Sequence, residues 1–163
     1  MRIKARPTTY CGTLFRSRLE ATWAAFFDIA GLPWAYEPID FEGWVPDFVL
    51  FLQRPVYVEV KPVPLQVLRL DWGGQKPPAL LPADRAEFEK AKMHQKDVNV
   101  LLLGLRPNDD ADFFGIGNLM DLPDDLGAAW RDPTWWALSE ELQVKDANRK
   151  WGAALAATQW VPA

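Results

Sequence analysis

One histidine and one cysteine are all that the chain holds of the two residue types that most often bind zinc. A lone His94 cannot build a Cys/His zinc cluster, and with it go Ser–His and Cys–His catalysis. Cys11, without a second cysteine, excludes an intramolecular disulfide and suits a reducing compartment. No run approaches 18 consecutive apolar residues, so no transmembrane helix is predicted. The opening Met1-Arg2-Ile3-Lys4 has no apolar h-region, so no secretory signal is expected, and the expected location is cytoplasmic. Positive charge is also in deficit. Lys plus Arg total 18 against 22 Asp plus Glu, a net charge of −4, whereas proteins that bind nucleic acid are usually basic.

What the chain does have is apolar content, 49% over 163 residues, enough for one domain with a real core. The apolar residues Leu19, Trp23, Phe26, Phe27 and Ala30 recur at helical spacing, which predicts a helix from Phe15 to Ala30. Gly31 supplies its stop and Pro33 forbids continuation. Trp34 to Glu37, Val45 to Phe51 and Val56 to Lys61 read as strands. Ala83 to Gln95 reads as a polar helix, and Val98 to Gly104 as a strand buried on both faces. Phe113 to Gly117 is a further strand by this reading. Residues 62–82 hold five prolines and Gly73-Gly74, which predicts a long loop. Long loops in compact domains are commonly functional. This one carries Arg69, Trp72 and Lys76, as a lid or DNA-contacting loop or as an insertion that packs Trp72 on the surface. Residues 121–163 form a helical extension packed on the 1–120 core. Within it Ser139 is read as the cap of a helix carrying Val144, Ala147, Trp151, Ala154 and Leu155. Five of the nine tryptophans lie in this extension, as core or as a partner surface.

Charge is distributed unevenly. Residues 1–19 contain Arg2, Lys4, Arg6, Arg16 and Arg18 and no acid, while residues 107–146 carry ten acids against Arg131 and Lys145. A basic face and an acidic back are compatible with a negative total, because the local field decides which partner approaches. Weak intrinsic DNA affinity is still expected, and a partner that delivers the substrate would offset it.

The chemistry concentrates in Val45-Pro46-Asp47-Phe48-Val49 and Val58-Glu59-Val60-Lys61. On a strand Glu59 and Lys61 share one face while Val56, Val58 and Val60 take the other. Charges on a strand that buries its valines need pairing or a metal. Pro-Asp followed by Glu-x-Lys on consecutive strands, after an amphipathic helix, resembles the active-site motif of the PD-(D/E)XK nuclease superfamily. The segments Phe15 to Glu20 and Trp34 to Pro38 are similar to the start of small phage-type and transposase-associated members.

The resemblance implies an α/β, restriction-endonuclease-like core of order αβββαβ, with a mixed central sheet flanked by helices. It implies an endonuclease in which a Mg²⁺-activated water cleaves DNA, with Mn²⁺ able to substitute. Asp47, Glu59 and Glu20 would be the acids on the metal, with the Val60 carbonyl, and Lys61 would orient the water and stabilise phosphate charge. Glu20 has a second reading, as the Glu of a Ser17-x-x-Glu20 capping box. Arg16, Arg18, Arg69 and Lys92 are the expected phosphate contacts, each otherwise a solvated cation. Glu37 is expected beside the site and His94 on a solvated helix face. The expected partners are DNA, with RNA left open, and a protein partner or a second copy. A catalytically weak nucleic-acid- or protein-binding module of a phage, transposon or defence complex is the competing expectation, and a dimeric resolvase a third.

Overall fold

Ser17, not Phe15, starts the first long helix. The computed structural model describes residues 5–64, 86–87, 89–91, 93–94, 97–109, 111–119 and 133–159. Thr8–Tyr10 (β1) and Thr13–Phe15 (β2) form an antiparallel hairpin that was not expected, its last residue, Phe15, having been expected in the helix. Its two-residue turn is Cys11-Gly12, both at positive φ, the conformation of a type I′ hairpin turn. Phe15 therefore ends a strand, fully buried, and the helix Arg18–Ala30 (α1) follows after a cap. Ser17 is extended and its Oγ accepts the Glu20 N–H at 3.1 Å. At the other end Gly31 is left-handed. Its N–H donates to Asp28 O and the Leu32 N–H to Phe27 O, a Schellman closure in which Leu32 and Phe27 join one core.

The central sheet has five strands in the order β3-β4-β5-β6-β7: Trp34–Tyr36 (β3), Phe48–Phe51 (β4), Pro55–Val60 (β5), Asn99–Leu103 (β6) and Asn118–Leu119 (β7). Only β5 and β6 run parallel; the other neighbours are antiparallel. A parallel pair needs a crossover. It spans residues 61–98, and its described residues at 86–87 and 89–91 are helical. The protein is thus a mixed α/β fold with a five-stranded mixed sheet and flanking helices.

Two further element assignments are corrected. The stretch expected as a strand at Phe113–Gly117 is a short helix, Ala111–Phe114 (α2), followed by β7. A Cβ at Gly117 would lie 2.6 Å from the Leu102 carbonyl, so the chain approaches β6 here only through glycine. The single helix capped by Ser139 is two helices, Pro133–Glu141 (α3) and Ala147–Ala157 (α4), with Asp146 at the second N-cap. Ser139 lies inside α3, because Pro133 at the first turn sets the earlier start.

The larger core fills one face of the sheet. Trp23, Phe26 and Phe27 of α1 meet Phe48, Leu50, Val56 and Val58 of the sheet, and α4 closes over them with Trp151 and Ala154. Trp151 sits 4.7 Å from Trp23 and 5.9 Å from Phe26 by ring centroid. Contacts of this kind add about 0.5–1.5 kcal/mol each beyond the area they bury. A smaller cluster of Trp44, Val63, Ala91, Val100 and Leu102, with Phe41 and Tyr57 against it, covers the opposite face. No described helix is long and apolar enough to cross a membrane.

Candidate functional site

Pro46 and the strand ends place the two motif acids. β4 and β5 pair with Phe48 opposite Val58, and Asp47, just before the ladder, comes within electrostatic reach of Glu59. Asp47 is held through its backbone on both sides. Its N–H donates to Val58 O and its carbonyl accepts the Glu37 N–H, each at 2.8 Å. Its side chain does further ladder work, since Oδ2 accepts the Val60 N–H at 2.7 Å. In an extended strand the N–H and carbonyl of one residue point to the same side, so the Val60 carbonyl also faces the Asp47 side of β5.

Both acids are buried, each 2% exposed. Glu59 Oε1 takes the Lys61 ammonium at 2.9 Å, and Oε2 takes the indole N–H of Trp44 at 2.8 Å. Arg16 lies over Asp47 from the solvent side. One guanidinium nitrogen is 2.7 Å from Asp47 Oδ1 and 3.0 Å from Glu37 Oε1, with the side chain 61% exposed. Glu20 joins this group from α1. Its Oε2 accepts the Tyr36 hydroxyl at 2.6 Å and stands 4.0 Å from Arg16 Nε. The capping reading is therefore half right, since the Glu20 N–H is capped by Ser17 while its carboxylate faces Tyr36 and Arg16.

These surroundings shift the ionisation of each group. Burial, then the charges of Glu59 and Glu20, push the Asp47 carboxyl up to about 8, against the Val60 N–H and Lys61. Arg16 pulls the other way: against its partial burial, the Asp47 charge raises the Arg16 guanidinium, and the guanidinium favours the Asp47 carboxylate in return. Burial also raises Glu59 despite Lys61 and Trp44. For Lys61, burial alone would lower the pKa, but the Glu59 carboxylate outweighs it and the ammonium is held charged. The less buried partner of the pair, Lys61, follows the Coulomb attraction, and the more buried one, Glu59, follows desolvation. Burial and the hydrogen bond to Glu20 raise the Tyr36 hydroxyl to about 12, so it remains a donor.

Among the described residues no group of three or more His, Cys, Asp or Glu side chains is gathered to hold a metal ion. The three acids expected to share an ion are thus not assembled together: Glu20 keeps to Tyr36 and Arg16. Mg²⁺ needs fewer, typically one or two carboxylates completed by waters and phosphate oxygens. Asp47 and Glu59 are hard oxygen donors whose mutual repulsion raises Asp47, and a cation would relieve it. Asp47, Glu59 and the Val60 carbonyl are oxygen donors of the kind Mg²⁺ takes, although each carboxylate oxygen here accepts from a protein donor.

The remaining expected residues fall elsewhere. Arg18 donates to the Thr158 and Leu155 carbonyls at 3.2 and 3.3 Å, closing the C-terminal end of α4 and not facing the acids. Glu37 does stand beside the site, on Arg16, at a left-handed φ of 45°. His94 is not a solvated helix residue: its ring packs 5.4 Å from both Phe41 and Trp44, and its Nε2–H donates to the Glu42 carbonyl. Arg69 and Lys92, with Trp72 and Lys76 of the proline-rich insertion, lie outside the described residues. Trp44 and Tyr36 were missed as site residues. The only signal was that both are aromatic donors shortly before the Pro46-Asp47 pair, Trp44 two residues before Pro46 and Tyr36 beside Glu37. No family model, curated protein or solved structure matches this chain.

Proposed function

We propose that the protein is a metal-dependent phosphodiesterase that cuts DNA, built on a PD-(D/E)XK, restriction-endonuclease-like core. One observation carries the reading. Two buried carboxylates, Asp47 and Glu59, stand at the paired ends of β4 and β5, with the charged Lys61 on one and an exposed Arg16 on the other. The described elements from α1 through β3, β4, β5 and the helical residues at 86–87 and 89–91 to β6 follow the αβββαβ order, which supports the same assignment.

Asp47, Glu59 and the Val60 carbonyl would hold Mg²⁺, with Mn²⁺ substituting, and the bound ion would activate water and polarise a phosphoryl oxygen. Lys61 acts as a fixed cation that stabilises charge developing on the phosphate, and its raised pKa argues against a role as proton acceptor. Glu20 orients Tyr36 and Arg16 from α1. Arg16 gives up Asp47 when that carboxylate takes its place in the loaded site, and its planar guanidinium then meets the DNA backbone. Arg69 and Lys92 are further proposed phosphate contacts. Arg18 is withdrawn from that set because its donors serve α4.

A binding module is the second reading. It is favoured by the pairing of Asp47, Glu59 and Glu20 with protein donors and by the absence of a three-acid group among the described residues. Incubation with single-stranded, duplex and branched DNA, in Mg²⁺, Mn²⁺ or EDTA, separates the two. The nuclease reading predicts cleavage in metal and none in EDTA. DNA binding without cleavage in either metal would transfer the assignment to the module.

A further inference from the structure

Phe41, Trp44, Tyr57 and His94 form one aromatic cluster, and the Trp44 indole N–H reaches out of it to Glu59. Phe41 and Trp44 close a tight turn through reciprocal backbone hydrogen bonds of 2.9 and 3.0 Å, with Gly43 at φ 75°. Their rings stack at 5.6 Å and 14°. Phe41 meets the Tyr57 ring of β5 edge-on at 4.9 Å. The His94 ring touches both, 5.4 Å from Phe41 and 5.4 Å from Trp44, and lies 28° from the Trp44 plane, and its Nε2–H donates to the Glu42 carbonyl. Trp44 is 3% exposed, and its Nε1–H reaches Glu59 Oε2.

An indole is a donor only. It cannot ligate a metal, but it can hold a carboxylate that does. The terminal torsion of a glutamate is broad and nearly two-fold, so a single contact through Oε1 to Lys61 leaves the carboxylate plane loosely set. The second contact, from a ring packed against both Phe41 and His94, sets that plane.

We propose that the 41–44 turn is a positioning device for the reaction and that Trp44 is a positioning residue for Glu59, held by its packing on Phe41 and His94. This rests on the metal-site reading of Asp47 and Glu59. Groups that orient metal-bound side chains typically cost about 10–100-fold in metal affinity or activity when removed. Trp44→Phe keeps the stacked ring and deletes the N–H. The expected result is Mn²⁺ affinity about 10–100-fold weaker by calorimetry on the intact chain, with kcat reduced and KM for DNA unchanged. His94→Ala keeps the N–H but opens one face of the stack, and a smaller loss of Mn²⁺ affinity is expected. Equal Mn²⁺ affinity in wild type and a folded Trp44→Phe would overturn the proposal while leaving the metal site standing. If Trp44→Phe does not fold, unchanged affinity in folded His94→Ala overturns it. Wild-type protein that binds no Mn²⁺ overturns both the metal site and this role for Trp44.

Discussion

The two halves of the site are held in opposite ways. Glu59 is fixed from within, by a buried tryptophan and by Lys61 two residues along the same strand. Asp47 is fixed through its backbone and one oxygen, but its other oxygen meets an arginine whose side chain is 61% exposed. One half is preset by packing and the other is covered by a partner that can leave. On the metal-site proposal, the Glu59 side would keep its shape and the Asp47 side would exchange ligands.

The largest effect should come from breaking the preset half. Lys61→Ala removes the cation on Glu59, and the loss of one preorganised charge-stabilising group commonly costs about 10²–10³-fold in turnover. We expect such a loss of Mg²⁺-dependent cleavage with metal affinity largely kept, since an ammonium is not a ligand. Equal cleavage by wild type and variant would remove Lys61 from the chemistry.

A second effect follows from the ionisation of Asp47. Its folded-state carboxyl titrates near 8 instead of the ordinary 3.8. Between these values the folded protein binds the proton and the unfolded chain does not. The contribution of Asp47 to stability is therefore fully present below about 3.8 and lost as pH rises through about 8. Glu59 acts in the same direction. Metal-free protein should show a rising Tm as pH is lowered from 8 to 5, and Asp47→Asn should flatten that slope. A slope unchanged in Asp47→Asn would assign the effect to other groups.

Arg16 tests the exchangeable half and should give the smaller change. Arg16→Ala uncovers Asp47, so Mg²⁺ binding should tighten several-fold while DNA binding weakens. The slope of log affinity against log salt should fall by about 1 for one lost phosphate contact. Unchanged metal and salt behaviour would make Arg16 a surface ion pair and nothing more. Arg18→Ala is the matched control: it should leave the salt slope alone and lower Tm modestly, because its donors close the end of α4.

Local rules made much of the frame legible. Gly31 followed by Pro33 marked the end of α1, and alternation along residues 56–61 put the valines and the charges on opposite faces. The spacing of Asp47 and Glu59 announced a pair because strand register converts spacing directly into proximity. What stayed hidden depends on residues far apart in the chain. Nothing near Trp44 states that its indole will find Glu59, or that His94, 50 positions on, will pack against it. The β1–β2 hairpin did carry a signal, a two-residue Cys11-Gly12 turn between threonine-rich arms, which the helical pattern beginning at Phe15 obscured. Ser139 misled because a serine inside a helix and a serine at its cap look alike without the Pro133 start.

The central claim is that Asp47 and Glu59 hold one ion jointly, and Mn²⁺ calorimetry on wild type, Asp47→Asn, Glu59→Gln and the double variant tests it most directly. The account predicts one site in wild type, near-complete loss in each single variant, and no further loss in the double variant. A single variant that keeps wild-type affinity, or losses that simply add, would contradict it.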